Sequence, residues 1–344
     1  MYIYNMSKNR LIILLCCAVF FYGARTAISQ NNTTLKTNES LIQPPYLKTG
    51  DTVAIVAPSG ILKNRNREVE QAKALLKSWG LNVVIGEHVF SRDNHFAGTD
   101  QERCEDFQKA LDNPNIKAIW SARGGYGTVR ILDKLDYTKF KDNPKWIIGY
   151  SDITALHNQV HNYGAESIHA IMCVSLTEDL SKIKESVATF KSAIFGEPIA
   201  YTIKGSKYNK EGNTSGQLVG GNLTILHTML GSNTSLNMDG KILFFEEIGE
   251  YAYHIDRMLQ SLKRAGYFEN CKGVIVGDIS RIRKNTTPWG KPVQQLILDV
   301  LEDYNFPIVF NMPSGHEDDN RALILGRTVE LNVGKDKSTL VFDK

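Results

Sequence analysis

Short apolar runs and stretches of helical spacing alternate along the first half of this chain. Val53 to Ala57 is apolar and β-prone, and Pro58-Ser59-Gly60 ends it. Glu68 to Trp79 has helical spacing, and Val83 to Gly86 reads as a strand. Thr99 and Glu102 form a capping box for a helix running to about Leu111. Ala118 to Ser121 is strand-like and meets Arg123-Gly124-Gly125-Tyr126-Gly127, after which a helix is expected from Thr128. Trp146 to Gly149 reads as a buried strand, followed by a tight turn carrying Ser151 and a helix after Asp152. Continuously apolar strands alternating with helices predict a parallel sheet covered on both faces. Ligands of such sheets bind beyond the carboxyl ends of the strands, where the Arg123–Gly127 loop and Ser151 both fall.

The pattern changes after a polar stretch, Lys204 to Thr214, which reads as a linker. Gln217 to Val219 is strand-like and runs into Gly220-Gly221-Asn222, and Ile242 to Phe245 is a strand ending at Glu246-Glu247. Tyr251 to Ala265 has helical spacing. Short strands are expected at Val274 to Val276, Ile308 to Phe310, Leu323 to Leu325, Val329 to Leu331 and Leu340 to Phe342. The expectation is a first α/β domain over 45–203, a linker over 204–214 and a β-rich mixed domain over 215–344.

Composition adds limits. The chain has 344 residues and a formal charge of +3, ample for a buried core and too nearly neutral to argue for nucleic acid. Its beginning stands apart: Lys8 and Arg10 precede an apolar run, Leu11 to Tyr22, with small residues at Ala24, Ala27 and Ser29. That is the pattern of a secretory signal peptide over 1–29, followed by a polar tether over 30–44. The run is short for a membrane span, so no membrane contact is expected beyond this leader, and a periplasmic or cell-envelope location follows. Cys16 and Cys17 lie inside the apolar run rather than after a lipobox. The remaining cysteines, Cys104, Cys173 and Cys271, are an odd, widely spaced set, expected as buried thiols rather than disulfides.

Candidate chemistry centres on Ser151. A serine on a strand–turn–helix elbow is pushed into a cleft, with the amides of the following helix aimed at the same place, as an acyl-transferring nucleophile requires. The plainer reading is that Ser151 caps the helix. A nucleophilic serine needs a base, and the base an orienting carboxylate. Glu246, ending an apolar strand at what would be a sheet edge, can supply the carboxylate; Glu247 is its alternative on the opposite face, and both could equally be solvated surface residues. His316, on the turn after the apolar strand at 307–310, can supply the base. The glycines of the Arg123–Gly127 loop lack the third glycine of a dinucleotide fingerprint, so they suit backbone approach to a ligand or oxyanion better. His157 and His161 share a helix face, but Asn158 stands where a zinc-peptidase helix has its glutamate; they read as partly exposed helix residues.

Eight blocks in order carry a resemblance. Gly50 to Ser59, Ala97-Gly98-Thr99, Arg123 to Gly127, Gly149-Tyr150-Ser151-Asp152, Gly220-Gly221-Asn222-Leu223, Glu246 to Glu250, Asp256-Arg257-Met258-Leu259 and Ser314-Gly315-His316-Glu317 are similar to those of the LD-carboxypeptidase family, to which microcin C immunity hydrolases are related. The resemblance runs from about residue 45 to the C-terminus. It implies a Rossmann-like, class I glutamine amidotransferase-like parallel-sheet domain, a C-terminal β-rich mixed α/β domain, and an active site between them. It implies catalytic Ser151, Glu246 and His316, with no metal and no cofactor. It further implies a peptidoglycan muropeptide substrate cleaved at the amide between an L-centre and terminal D-alanine, and a homodimer. The oxyanion would be held by the amide of Asp152 and one from Gly124 or Gly125. Arg123 is the candidate for the substrate's free carboxylate, and Asn222 and Glu250 for the diamino-acid side chain. One departure is His169-Ala170-Ile171, where family members often carry His-Gly-Pro. The rival readings are a related serine hydrolase acting on peptide–nucleotide amides, and a secreted two-lobed binding protein without catalysis.

Overall fold

The computed structural model describes residues 41–176 and 179–343. The expected leader over 1–29, with Cys16 and Cys17, lies outside them, as does the tether over 30–40. The end of that tether, 41–44, is not free chain. Ile42 N donates to Gly164 O at 2.7 Å, and Glu166 N donates to Ile42 O at 3.0 Å.

Among the described residues, thirteen strands fall in two sheets. They are β1 (Thr52–Val56), β2 (Asn82–Ile85), β3 (Ile116–Ser121), β4 (Trp146–Gly149), β5 (Ser167–His169), β6 (Ala200–Lys204), β7 (Gly212–Asn222), β8 (Lys241–Ile248), β9 (Gly273–Ser280), β10 (Ile308–Val309), β11 (Leu323–Leu325), β12 (Thr328–Val333) and β13 (Lys337–Phe342). The first sheet has the order β11-β5-β4-β3-β1-β2, parallel throughout except for β11. The second has the order β10-β9-β8-β7-β12-β13-β6; its β10 to β7 half is parallel and the rest antiparallel. This is the expected α/β class, a mostly parallel sheet followed by a β-rich mixed one.

The chain interleaves the sheets. β6, from before the polar stretch, closes the far edge of the second sheet, and β11 returns to pair with β5 in the first. The stretch read as a linker is partly strand, because β6 ends at Lys204 and β7 begins at Gly212. One apolar cluster therefore contains Ile55, Trp120 and Trp146 of the first sheet together with Leu218, Ile242, Phe244 and Leu331 of the second. At about 1.5–3 kcal/mol for each large apolar side chain buried, that shared cluster ties the two sheets into one folding unit.

Helices follow their local signals where those are strong. Thr99 and Glu102 close the capping box at the head of the helix Asp100–Asp112, with Glu102 N to Thr99 Oγ1 at 3.2 Å and Thr99 N to Glu102 Oε2 at 2.7 Å. The helix expected from Thr128 is a single turn, Val129–Leu132. Helices at Lys184–Phe195 and Val293–Val300 were not anticipated from the pattern.

A buried ion pair locks the interleaving. Arg327, between β11 and β12, donates to both Glu166 oxygens at 3.0 and 2.5 Å, to the Tyr46 hydroxyl at 2.6 Å and to Gln43 Oε1 at 2.9 Å. Removing one partner of a buried pair strands the other charge, at a cost of about 3–5 kcal/mol. Arg327→Leu should therefore lower the unfolding free energy in urea by that order, and Arg327→Leu combined with Glu166→Gln should lower it by clearly less.

Candidate active site

The apolar strand β4 is wholly buried and delivers the chain to Gly149-Tyr150-Ser151. A β-carbon at Gly149 would lie 2.8 Å from Ile153 Cγ1, so the turn can tighten only on glycine. Ser151 has a φ of +62°, a left-handed conformation that costs a non-glycine residue on the order of 1–3 kcal/mol. The flanks hold it there. Gly149 O accepts from Ala170 N at 3.1 Å and from His157 Nε2 at 2.9 Å, and Asp152 Oδ2 accepts from Thr128 N at 2.8 Å. A 3₁₀ turn, Ser151–Ile153, leads into the helix Thr154–Asn162. Ser151 makes no side-chain cap at either; its Oγ lies 3.1 Å from His316 Nε2. The capping reading therefore fails.

His316 Nδ1 lies 2.6 Å from Glu246 Oε2. A carboxylate only accepts, so Nδ1 carries the proton and Nε2 presents a lone pair to the serine hydroxyl. Glu246 is neither at a sheet edge nor solvated. It is fully buried on β8, which runs between β7 and β9 in the middle of the second sheet. Glu247, also buried, takes Thr224 N at 2.8 Å and Thr224 Oγ1 at 2.7 Å. The pairing of β8 with β9 shifts register between Phe245 and Glu247, a bulge of the kind that re-aims side chains beside sites. As a result Asn222 Nδ2 reaches both acids, Glu246 Oε1 at 3.3 Å and Glu247 Oε1 at 3.2 Å, despite the opposite faces expected from strand alternation.

The loop carrying His316 is clamped. Gly315 N donates to Asn320 Oδ1 at 3.1 Å, Asp278 N to Ser314 O at 3.0 Å, and Asn320 N to Ser186 Oγ at 2.8 Å. Tyr150 packs edge-on against the imidazole with ring centroids 5.0 Å apart. The glycine loop closes the opposite wall. A β-carbon at Gly124 would fall 3.2 Å from Ser151 Cβ and 3.4 Å from Asp152 N, so only glycine lets this backbone approach the serine. Neither Gly124 N nor Gly125 N has a protein acceptor among the described residues. Buried Arg103 holds the loop from behind, donating to Pro58 O at 2.5 Å and Gly127 O at 2.9 Å.

Electrostatics follow from this packing. Burial opposes charging of His316, but the charge and hydrogen bond of Glu246 outweigh it and raise the imidazole above its ordinary range. Burial pushes the Asp278 carboxyl, packed behind Gly315, up to about 6. Burial holds His157 down to about 4 and His169 well below its usual range.

The other predicted residues divide. Asp152 and Gly124 meet at Ser151, as described. Arg123 is half-buried and donates to the Ile61 carbonyl, bracing a neighbouring loop. Asn222 is not free for substrate. Its Nδ2 holds the two acids, its Oδ1 caps the following helix through Ile225 N at 3.2 Å, and its own N donates to Thr154 Oγ1 at 2.9 Å. Glu250 pairs with His254 Nδ1 at 2.5 Å. His157 is buried rather than partly exposed; since Nε2 donates to Gly149 O, Nδ1 accepts from Ser167 Oγ at 2.9 Å, and no lone pair is left for a metal. Cys173 and Cys271 are buried with thiols pushed up by burial, whereas Cys104 is only half-buried. Sequence reasoning missed Asp278, Asn320 and the supporting roles of His157 and Asn222. Of these, only the Gly-x-x-x-x-Asn spacing from Gly315 to Asn320 left a local trace.

The LD-carboxypeptidase N-terminal domain matches residues 53–170 and the LD-carboxypeptidase C-terminal domain matches residues 215–331. The chain is 32% identical to the probable murein peptide carboxypeptidase of Bacillus subtilis, covering 85% of this chain and 92% of that one. It is 30% identical to the murein tetrapeptide carboxypeptidase of Pseudomonas aeruginosa, covering 81% and 92%. The crystal structure of muramoyltetrapeptide carboxypeptidase from Oxalobacter formigenes superposes with a TM-score of 0.77 at 29% identity, over 85% of this chain and 99% of that one. The microcin C7 self immunity protein MccF, at 22% identity and a TM-score of 0.78, shares the fold, over 89% of this chain and 99% of that one.

The imidazole of His316 should titrate above about 6.5, the value of a free histidine. In Glu246→Gln the stabilising carboxylate is gone while burial remains, so the midpoint should drop below the wild-type value. A pH series of histidine ring NMR spectra reads both.

Proposed function

This chain belongs to the LD-carboxypeptidase family, and we propose that it removes the terminal D-alanine from peptidoglycan tetrapeptide stems through a serine acyl-enzyme. The observation that carries this reading is the continuous Ser151 Oγ, His316, Glu246 chain, with hydrogen bonds of 3.1 and 2.6 Å. His316 takes the Ser151 proton as Oγ attacks the carbonyl of the stem's third residue. Glu246 keeps the imidazole in the correct tautomer and stabilises the imidazolium as it forms. The amides of Asp152 and of Gly124 or Gly125 receive the negative charge that develops on the carbonyl oxygen. His316 then gives its proton to the departing amine of D-alanine, and water, activated by the same histidine, releases the shortened stem.

The leader pattern supports an envelope location, where such stems lie, and the family resemblance supports a homodimer. Mass measurement of the mature chain from the periplasm and sedimentation equilibrium test these two parts of the reading. A substrate of the peptide–nucleotide kind is the alternative outcome of the same activity assay.

Incubation with a purified muramyl tetrapeptide should release one D-alanine, seen by mass spectrometry. Ser151→Ala and His316→Ala should each lower kcat by on the order of 10⁴–10⁶, and Glu246→Gln by less. No release from any tetrapeptide by folded wild-type protein would sink the proposal. In the active protein, kcat/KM should fall as pH drops through the raised His316 titration, because a protonated imidazole cannot accept the serine proton.

A further inference from the structure

A carboxypeptidase has to recognise a free carboxylate, and the guanidinium first expected to do so, Arg123, is half-buried and already held by the Ile61 carbonyl. Three further arginines are also engaged. Arg321 forms a two-pronged pair with Asp319 at 2.9 Å on both arms, Arg257 lies 5.4 Å over the Tyr253 ring, and Arg283 lies 5.7 Å over the Tyr251 ring. Arg281 differs. It is exposed and has no hydrogen-bond, ion-pair or ring partner among the described residues.

Its backbone is also unusual. Five described non-glycine residues have positive φ: Asn64, Asn94, Ser151, Arg281 and Asn311. Asparagine tolerates that region. The two that do not are Ser151, at +62°, and Arg281, at +49°. Such outliers persist where surrounding structure imposes them and gather at binding and catalytic positions. Arg281 is the first residue beyond β9, at the carboxyl end where Ser280 pairs with Ile248 of β8, and Gly249 N donates to Ser280 O at 3.0 Å. β8 carries Glu246 two residues before that pair. The charge of Arg281 also reaches the hydroxyl of Tyr150, whose ring packs on His316.

From this placement we propose that Arg281 is the anchor for the substrate's terminal carboxylate. A guanidinium held off the end of β9, one strand over from and two residues past Glu246, can take both carboxylate oxygens at once, placing the last peptide bond at Ser151 and excluding chains that continue beyond it. This rests on the carboxypeptidase reading above.

The test compares the tetrapeptide acid with the same tetrapeptide ending in a C-terminal amide. Wild-type protein should cleave the acid far better. Arg281→Ala should raise KM for the acid on the order of 10–100-fold with kcat largely kept, and bring acid and amide close together. Arg281→Lys should restore part of the preference. Arg281→Gly removes the guanidinium while suiting the left-handed backbone, so it should fold and show the same loss even if the alanine variant does not. Unchanged preference for the acid in Arg281→Gly overturns the proposal, as does its loss in Arg123→Ala but not in Arg281→Gly. Failure of wild-type protein to cleave either peptide overturns the carboxypeptidase reading and this inference with it.

Discussion

The structure depends on a carboxylate placed where a carboxylate is most expensive, fully buried on a central strand. Glu246 is tolerated because each oxygen has a partner: the imidazole of His316 on one and the amide of Asn222 on the other. Those partners arrive from different directions. Asn222 ends β7, the strand paired with β8, and its main chain is tied to Thr154 at the head of the helix that follows the serine. His316 comes from a loop hung on β9 and on the helix Lys184–Phe195 through Asp278 and Ser186. Satisfying one buried charge thus fixes the distance between the serine turn and the second sheet.

The interleaved topology makes that distance rigid. Had the chain formed two lobes joined by a flexible tether, the serine and the histidine would face each other across a hinge. Instead β6 and β11 cross between the halves, and the Arg327–Glu166 pair and a shared apolar cluster bind the crossing. A hydrogen bond between residues 165 positions apart in the chain is then a feature of one packed body. The strain at Ser151 is carried the same way, since His157, Ala170 and Thr128 grip the turn from three sides.

Much of this was legible in the residues themselves. The wholly apolar run ending in Gly149 announced a buried parallel strand, and glycine two residues before a serine announced a tight elbow. Thr99 and Glu102 set a helix boundary through contacts three residues apart. The roles of Asn222 and His157 were not legible, because a polar residue declares its partner only when the fold supplies one. Asn222 reads as an available amide in the chain, yet it is consumed by two buried acids and a helix end. Likewise His157 reads as a helix-surface residue until Ser167 and Gly149 are packed against it.

The chain by itself determined the alternation of strands and helices and the class of the fold, because these follow from periodicity and from short-range turn chemistry, while its family resemblance singled out Ser151, Glu246 and His316. Only the tertiary structure decided that Glu246 is central and buried, that β11 and β6 trade places between sheets, and that the bulge beside Glu246 brings both acids to one amide. Pairing register and burial are set by residues distant along the chain, whose meeting no local pattern encodes.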